Sequence, residues 1–374
     1  MKSVIDEIMM LRHGERLYPD TTNSNPYQIV AMEENGLKTA YCFAVPIYNQ
    51  ATRKLVDLTF HGAENSLIAY GSSAKIKADD VIQLTDSEGF CRFEMPDKQT
   101  ATQDNTIHYG RTKVTPTLNG VFLRIPCLFY EQAWLRMQYD GNTNAVRTNL
   151  QSFSLMSEKF RPFITVSCIG AADEAGKIIA PCFVESEKKN DQEYLLLFKQ
   201  NSIEAKYVHI EINLYAKKLF QDTTVESLHP KKNNAFGGTA FIGRTELFGE
   251  QWLYSRPDFS VLPDLYDKRI RKAVLHLPAY CKKADIKAHM LETRFCSFGS
   301  NWNNKKSASS KAVFLRKGLR YYHLDLTQAI TNEVGYIRYT EGFILKKDNK
   351  ESAFSAISTG DSFFAPQILE IVYE

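Results

Sequence analysis

The chain is expected to be mostly β, built from tandem antiparallel β-sandwich domains of jelly-roll-like type behind a short N-terminal helix. Three observations carry this. The 23 Phe, 19 Tyr and 3 Trp fall in short alternating runs, the pattern of half-buried strands. Gly, Asn, Asp and Pro separate the runs and supply turns. Long amphipathic helical patterns are missing, which disfavours alternating βαβ architecture. At 374 residues the chain has room for two or three compact units of about 150 residues each.

Taken in order, the first element is a helix over residues 3–11. Ser3 stands where an N-cap belongs, Asp6 and Glu7 occupy the first turn, and Val4, Ile5, Ile8 and Leu11 gather near one face. Strands are expected at 41–47, 55–60, 121–130, 163–169, 194–199, 208–215, 273–277, 320–326, 343–346 and 368–373. The clearest is the segment in which Val208, Ile210, Ile212 and Leu214 alternate with His209, Glu211, Asn213 and Tyr215. That spacing gives one aliphatic face and one polar or amphipathic face. A second, shorter helix is expected over 327–332.

The polar stretch 97–106 and the run 229–238, which combines Pro, Lys, Asn and paired Gly, are expected breaks. The main boundary is set near residue 222. Residues 1–222 then hold one large or two small sandwiches, with any division near Asn149, and residues 223–374 hold another. No internal repeat of fixed period is visible.

Forty-six Lys and Arg against 43 Asp and Glu leave a net charge of +3. That is too small to draw the chain to a phosphate backbone, so nucleic acid is not an expected partner. No apolar run reaches the length of a membrane span, and Asp6 and Glu7 interrupt what would have to be the apolar core of a secretory signal. Membrane insertion is not expected, and synthesis in the cytoplasm without a signal peptide is. The seven cysteines, Cys42, Cys91, Cys127, Cys168, Cys182, Cys281 and Cys296, form no Cys-x-x-Cys pair. They read as reduced thiols packed as small hydrophobes, with no zinc site.

Residues 223–374 show an ordered set of features. Phe241-Ile-Gly-Arg-Thr-Glu-Leu-Phe-Gly249 leads through Trp252 to Phe259-Ser-Val-Leu-Pro263 and then to Ala273-Val-Leu-His-Leu277. Later come Tyr322 to Ile330, Gly342-Phe-Ile-Leu345, and a closing apolar run from Pro366 to Tyr373. This order resembles the DNRLRE-type β-sandwich module and covers about two-fifths of the chain. The name-giving hexapeptide itself is absent; Asp267-Lys-Arg-Ile-Arg-Lys272 echoes its charge pattern. The resemblance implies a non-catalytic module of the kind found in surface and secreted proteins, some regarded as carbohydrate-binding.

Met10-Leu-Arg-His-Gly-Glu15 looks like the Arg-His-Gly signature of histidine phosphatases, in which an imidazole at a strand end accepts the phosphoryl group. The proline-bearing segment and strands that follow it do not suit that α/β fold, so catalysis by His13 is not expected. The other histidines show no His-x-His or His-Glu-x-x-His spacing, and Phe236-Gly-Gly-Thr lacks the Lys-Ser/Thr of a phosphate loop. Asp79, Asp80 and Asp361 do not form a calcium-loop pattern.

Trp302, in the polar loop Gly299-Ser-Asn-Trp-Asn-Asn304, is the candidate sugar-stacking ring, with Asn301, Asn303 and Asn304 as candidate hydroxyl partners. The sequence therefore points to a non-catalytic structural or interaction protein that needs no cofactor or metal. Its partners are expected to be proteins in an assembly, such as a phage tail, baseplate or injection-type particle, or further copies of itself. A carbohydrate-binding protein is the alternative, and a histidine-phosphatase-type enzyme a distant third.

Overall fold

Strands dominate the computed structural model, which describes residues 3–20, 25–33, 35–63, 66–103, 105–127, 132–141, 143–157, 161–348 and 353–374. The chain divides into two units. One comprises Met1–Ile47, Lys217–Ala235 and Ala240–Glu374; the other comprises Tyr48–Ala216 and Phe236–Thr239. Among the described residues no helix is long and apolar enough to cross a membrane.

The second unit is a sandwich of two antiparallel sheets, nine-stranded and eight-stranded among the described residues. Period-two alternation builds it. Val208, Ile210, Ile212 and Leu214 of strand Tyr207–Leu214 meet Ala133, Leu135 and Met137 of strand Gln132–Gly141 and Leu196 and Phe198 of strand Glu193–Lys199 in one core. His209, Glu211 and Asn213, on the other face of Tyr207–Leu214, are buried too. On this polar face Asn213 Nδ2 donates to Glu211 Oε1 at 2.7 Å, and Thr117 Oγ1 donates to Asn213 Oδ1 at 2.8 Å.

In the first unit strand Ile270–Lys282 runs through both halves of the fold. Its first part pairs with Ile368–Tyr373 and Tyr321–Asp325, and its last part with Phe354–Ser358. Ala273, Leu275 and Leu277 point into a core shared with Val30, Cys42, Leu324, Leu369 and Ile371, and with Ile242, Leu253, Leu345 and Ile357 from the remaining strands. The N-terminal helix, Val4–Leu11, is capped by Ser3, whose Oγ accepts from the Asp6 N–H at 3.0 Å. It buries Val4 and Ile8 and ends at Arg12, after which His13 and Gly14 take positive φ.

Several elements differ from expectation. One crossing between the units, from Ala216 to Lys217, lies close to the boundary expected near residue 222, but the first unit also takes in the chain up to Ile47 and the second takes in Phe236–Thr239. Strands Gln28–Met32 and Lys38–Phe43 instead join the last strand, Lys38 opposite Tyr373 and Phe43 opposite Ile368. A pairing across more than three hundred residues leaves no local signal. Asn149 lies inside the second unit, where its side chain accepts from the Gln151 and Ser152 N–H groups in a turn.

Residues 55–60 alternate as expected, with Val56, Leu58 and Phe60 buried, yet among the described residues they form one isolated bridge, Leu55 to Tyr48. The expected break at 97–106 contains strand Gln99–Gln103, paired with Thr106–Tyr109. The second helix is a single turn, Thr327–Ile330. Part of the expected strand 121–130 lies outside the described residues; the described part forms Gly120–Pro126.

Candidate functional site

The outer face of the first unit's sheet carries what its core face excludes. On strand Tyr321–Asp325, Tyr322 and Leu324 enter the core while Tyr321, His323 and Asp325 point away; on Ile270–Lys282 the outward residues are Lys272, Val274 and His276. Glu370 faces the same way from Ile368–Tyr373. The N-terminal helix closes one end of this face. Its Glu7 accepts a hydrogen bond from Tyr321 Oη, and Arg320 reaches Glu7 at 3.6 Å and Met10 Sδ at 2.8 Å. Between the helix and the hairpin in which strand Leu315–Lys317 pairs with Tyr321–Asp325, a groove of about 670 Å³ is left open.

A polar chain crosses the groove floor. Glu370 Oε2 lies 3.0 Å from His276 Nε2, and His276 Nδ1 lies 2.8 Å from His323 Nδ1. Strand register builds the contact, since His276 stands directly opposite His323. Burial pushes the Glu370 carboxyl up, but His276 and Lys272 together pull it below its ordinary range. An ionised Glu370 requires His276 to donate from Nε2. Burial, helped by His276, Arg316 and Lys282, holds the His323 pKa down at about 4, so this ring is neutral at neutral pH. Gly318 makes room for it: a Cβ there would sit 2.4 Å from His323 Nε2.

The hairpin beside the groove is held open by a lysine. Lys282 Nζ donates to the carbonyl oxygens of Gly318 at 2.5 Å, Leu319 at 2.6 Å and Tyr321 at 3.2 Å. Lys317 Nζ in turn donates to the Lys282 carbonyl at 2.9 Å. This clamp fixes a turn whose Leu319 is 97% exposed, and Phe314 at the other side of the hairpin is 72% exposed. Arg316, also lining the groove, makes no ion pair among the described residues.

The residues singled out in the sequence lie elsewhere in the unit. Asn301, Trp302, Asn303 and Asn304 come together in one 3-10 turn, Trp302–Asn304, with Asn301 as its cap. The Asn301 side chain accepts from the N–H groups of Asn303 and Asn304, and Asn304 returns to the Asn301 N–H at 2.7 Å and to the Gly299 carbonyl at 3.0 Å. These amides thus hold the turn's own backbone. The Trp302 ring packs on Trp252, centroids 4.9 Å apart, against Tyr254, Leu291 and Phe295, with the Lys305 ammonium 4.5 Å from its centre.

His13 lines the groove, but Arg-His-Gly sits at the end of a helix and not of a strand. Arg12 is occupied by Glu33 at 2.8 Å and by Tyr41 Oη at 3.2 Å. Among the described residues no group of three or more His, Cys, Asp and Glu is placed to hold a metal ion.

Sequence reasoning missed Glu370, His276, His323, Arg316, Lys282 and Leu319. Polar residues alternating with Tyr322 and Leu324 were the available signal. It marks an outward face without saying what stands opposite. Comparison of the chain with family models, with curated proteins and with solved structures finds no match.

Proposed function

We propose that the protein is a non-catalytic interaction component of an assembly and that it meets its protein partner through the groove between the N-terminal helix and the Phe314–Leu319 hairpin. One observation carries the reading: Leu319 stands 97% exposed on a turn that three hydrogen bonds from Lys282 hold in place. Exposed apolar side chains are ordinary when scattered singly. Here Leu319 and Phe314 flank one concave surface together with half-exposed Met10. A preorganised apolar anchor loses little freedom when it docks, which favours association. The resemblance of residues 223–374 to a sandwich module used for binding agrees with this reading.

Leu319→Ser and Phe314→Ser remove the anchors and leave every core residue in place. The protein isolated gently from its source is expected to travel as a defined oligomer or larger particle, and the double variant as a free chain. A wild-type protein that is monomeric and carries no partner contradicts the proposal.

A further inference from the structure

Resting on that docking reading, we propose that the partner protein lays an extended acidic segment along the free edge of strand Ala308–Val313, adding a strand to the first unit's sheet, and passes from there over Phe314 into the groove.

The edge is open. Strand Ala308–Val313 pairs with Ile286–Leu291 on one side and ends the sheet; among the described residues no strand lies on its other side. Ser310, Lys311 and Ala312 are exposed, and the Lys311 N–H turns to Ser309 Oγ at 3.2 Å rather than to a neighbouring strand. The strand holds no proline to block pairing. Such an edge presents backbone donors and acceptors that an extended peptide can pair with.

The surrounding charge selects the peptide. Residues 293–324 hold seven Lys and Arg and no Asp or Glu. Among the described residues Arg320 alone of the seven makes an ion pair, with Glu7. Lys305, Lys306 and Lys311 stand before or within the edge strand, and Arg316 and Lys317 follow it. Two copies of this chain meeting edge to edge would bring those like charges together, whereas an acidic strand gains from them. Val313 and Leu315 are partly buried at the margin of the first unit's core, so the alternate side chains of an added strand that cover them are apolar. The sequence that fits is therefore acidic and apolar residues in alternation. Phe314, 72% exposed, follows directly on Val313 and leads the bound chain from the edge to the groove.

The test is a titration of the full chain with three hexapeptides, read by fluorescence anisotropy of the labelled peptide and by amide hydrogen exchange of the protein. The first is acetyl-Glu-Val-Glu-Val-Glu-Val-amide, and the second carries Lys in place of Glu. The third is the acidic peptide with every amide N-methylated, which keeps the charge and removes the backbone donors. The acidic peptide is expected to bind, to slow exchange of backbone amides within Ala308–Val313 by about tenfold, and to lose affinity as salt is raised. The lysine peptide and the methylated peptide should each bind about tenfold more weakly or worse. Lys311→Glu/Arg316→Glu, with both sites exposed, should weaken the acidic peptide by about tenfold and favour the lysine peptide.

Equal binding of the acidic and methylated peptides, or unchanged exchange within Ala308–Val313, overturns strand addition. Equal binding of the acidic and lysine peptides overturns the acidic partner. Binding of none of the three, or tighter binding of a sulfated oligosaccharide or an oligonucleotide, overturns the proposal as well. The mass measurement on the anchor variants decides separately whether the docking reading survives.

Discussion

Glu226 illustrates how one side chain sets the behaviour of its surroundings. It has no exposed surface; Oε2 accepts from Asn234 Nδ2 at 2.8 Å and Gln251 Nε2 at 3.2 Å, and Oε1 lies 3.2 Å from His229 Nδ1. Burial, against the pull of those amides, drives its pKa up to about 8. The carboxyl is therefore protonated at neutral pH, and burial lowers the pKa of His229 beside it. The folded pKa exceeds the unfolded value of 4.5, so this contribution to stability is complete below about 4.5 and is lost as pH rises to about 8. Glu226→Gln keeps the shape and removes the titrating proton. Its denaturation midpoint should depend less on pH between 5 and 8 than that of the wild type, and a variant with an unchanged pH dependence would refute the assignment. Asp222, raised by burial to about 6, keeps part of the dependence in both proteins.

The cysteines give a second check at the same scale. Cys42, Cys91, Cys168, Cys182 and Cys281 are buried, Cys127 is half-buried with burial raising its pKa to about 11, and Cys296 is exposed. Only a thiolate alkylates. Iodoacetamide on the native protein should modify Cys296 first, as peptide mass mapping would read. Early modification of Cys42 or Cys91 would show that the core opens.

At the level of elements, the N-terminal helix was legible because all its signals are local. Ser3, Asp6, Glu7 and the Val4–Ile8 spacing lie within one or two turns, and the cap forms as they dictate. Ser3→Ala should cost about 1 kcal/mol, and Ile8→Ala, fully buried, about 2–4 kcal/mol, both read from chemical denaturation. Where an element depends on its partner, the sequence says less. Val56, Leu58 and Phe60 alternate and are buried as a strand would be, but among the described residues no strand pairs with them, and the bridge from Leu55 to Tyr48 is isolated. Gln99–Gln103 has the composition of a linker and is a strand because Thr106–Tyr109 folds back upon it.

The groove was illegible for the same reason. His276 and His323 are 47 residues apart and meet only through strand register, and Glu370 lies 94 residues beyond His276. Trp302 drew attention as a tryptophan among amides, but a ring's accessibility depends on what packs against it, here Trp252 and Lys305. Gly318→Ala should disturb the hairpin through its contact with His323; a shifted His323 resonance with little change in stability is the expected result.

For the molecule as a whole, the mostly β character follows from alternation and turn residues spread along the entire chain. The units do not follow sequence order, because the first strands pair with the last. The central claim is that the Phe314–Leu319 hairpin is a docking device. Light scattering coupled to size exclusion, on native protein and on the Phe314→Ser/Leu319→Ser variant, tests it most directly. The account predicts a wild-type mass well above that of the 42.7 kDa chain and a variant at the mass of one chain. A wild type at the mass of one chain, or a variant that keeps the larger mass, would contradict it.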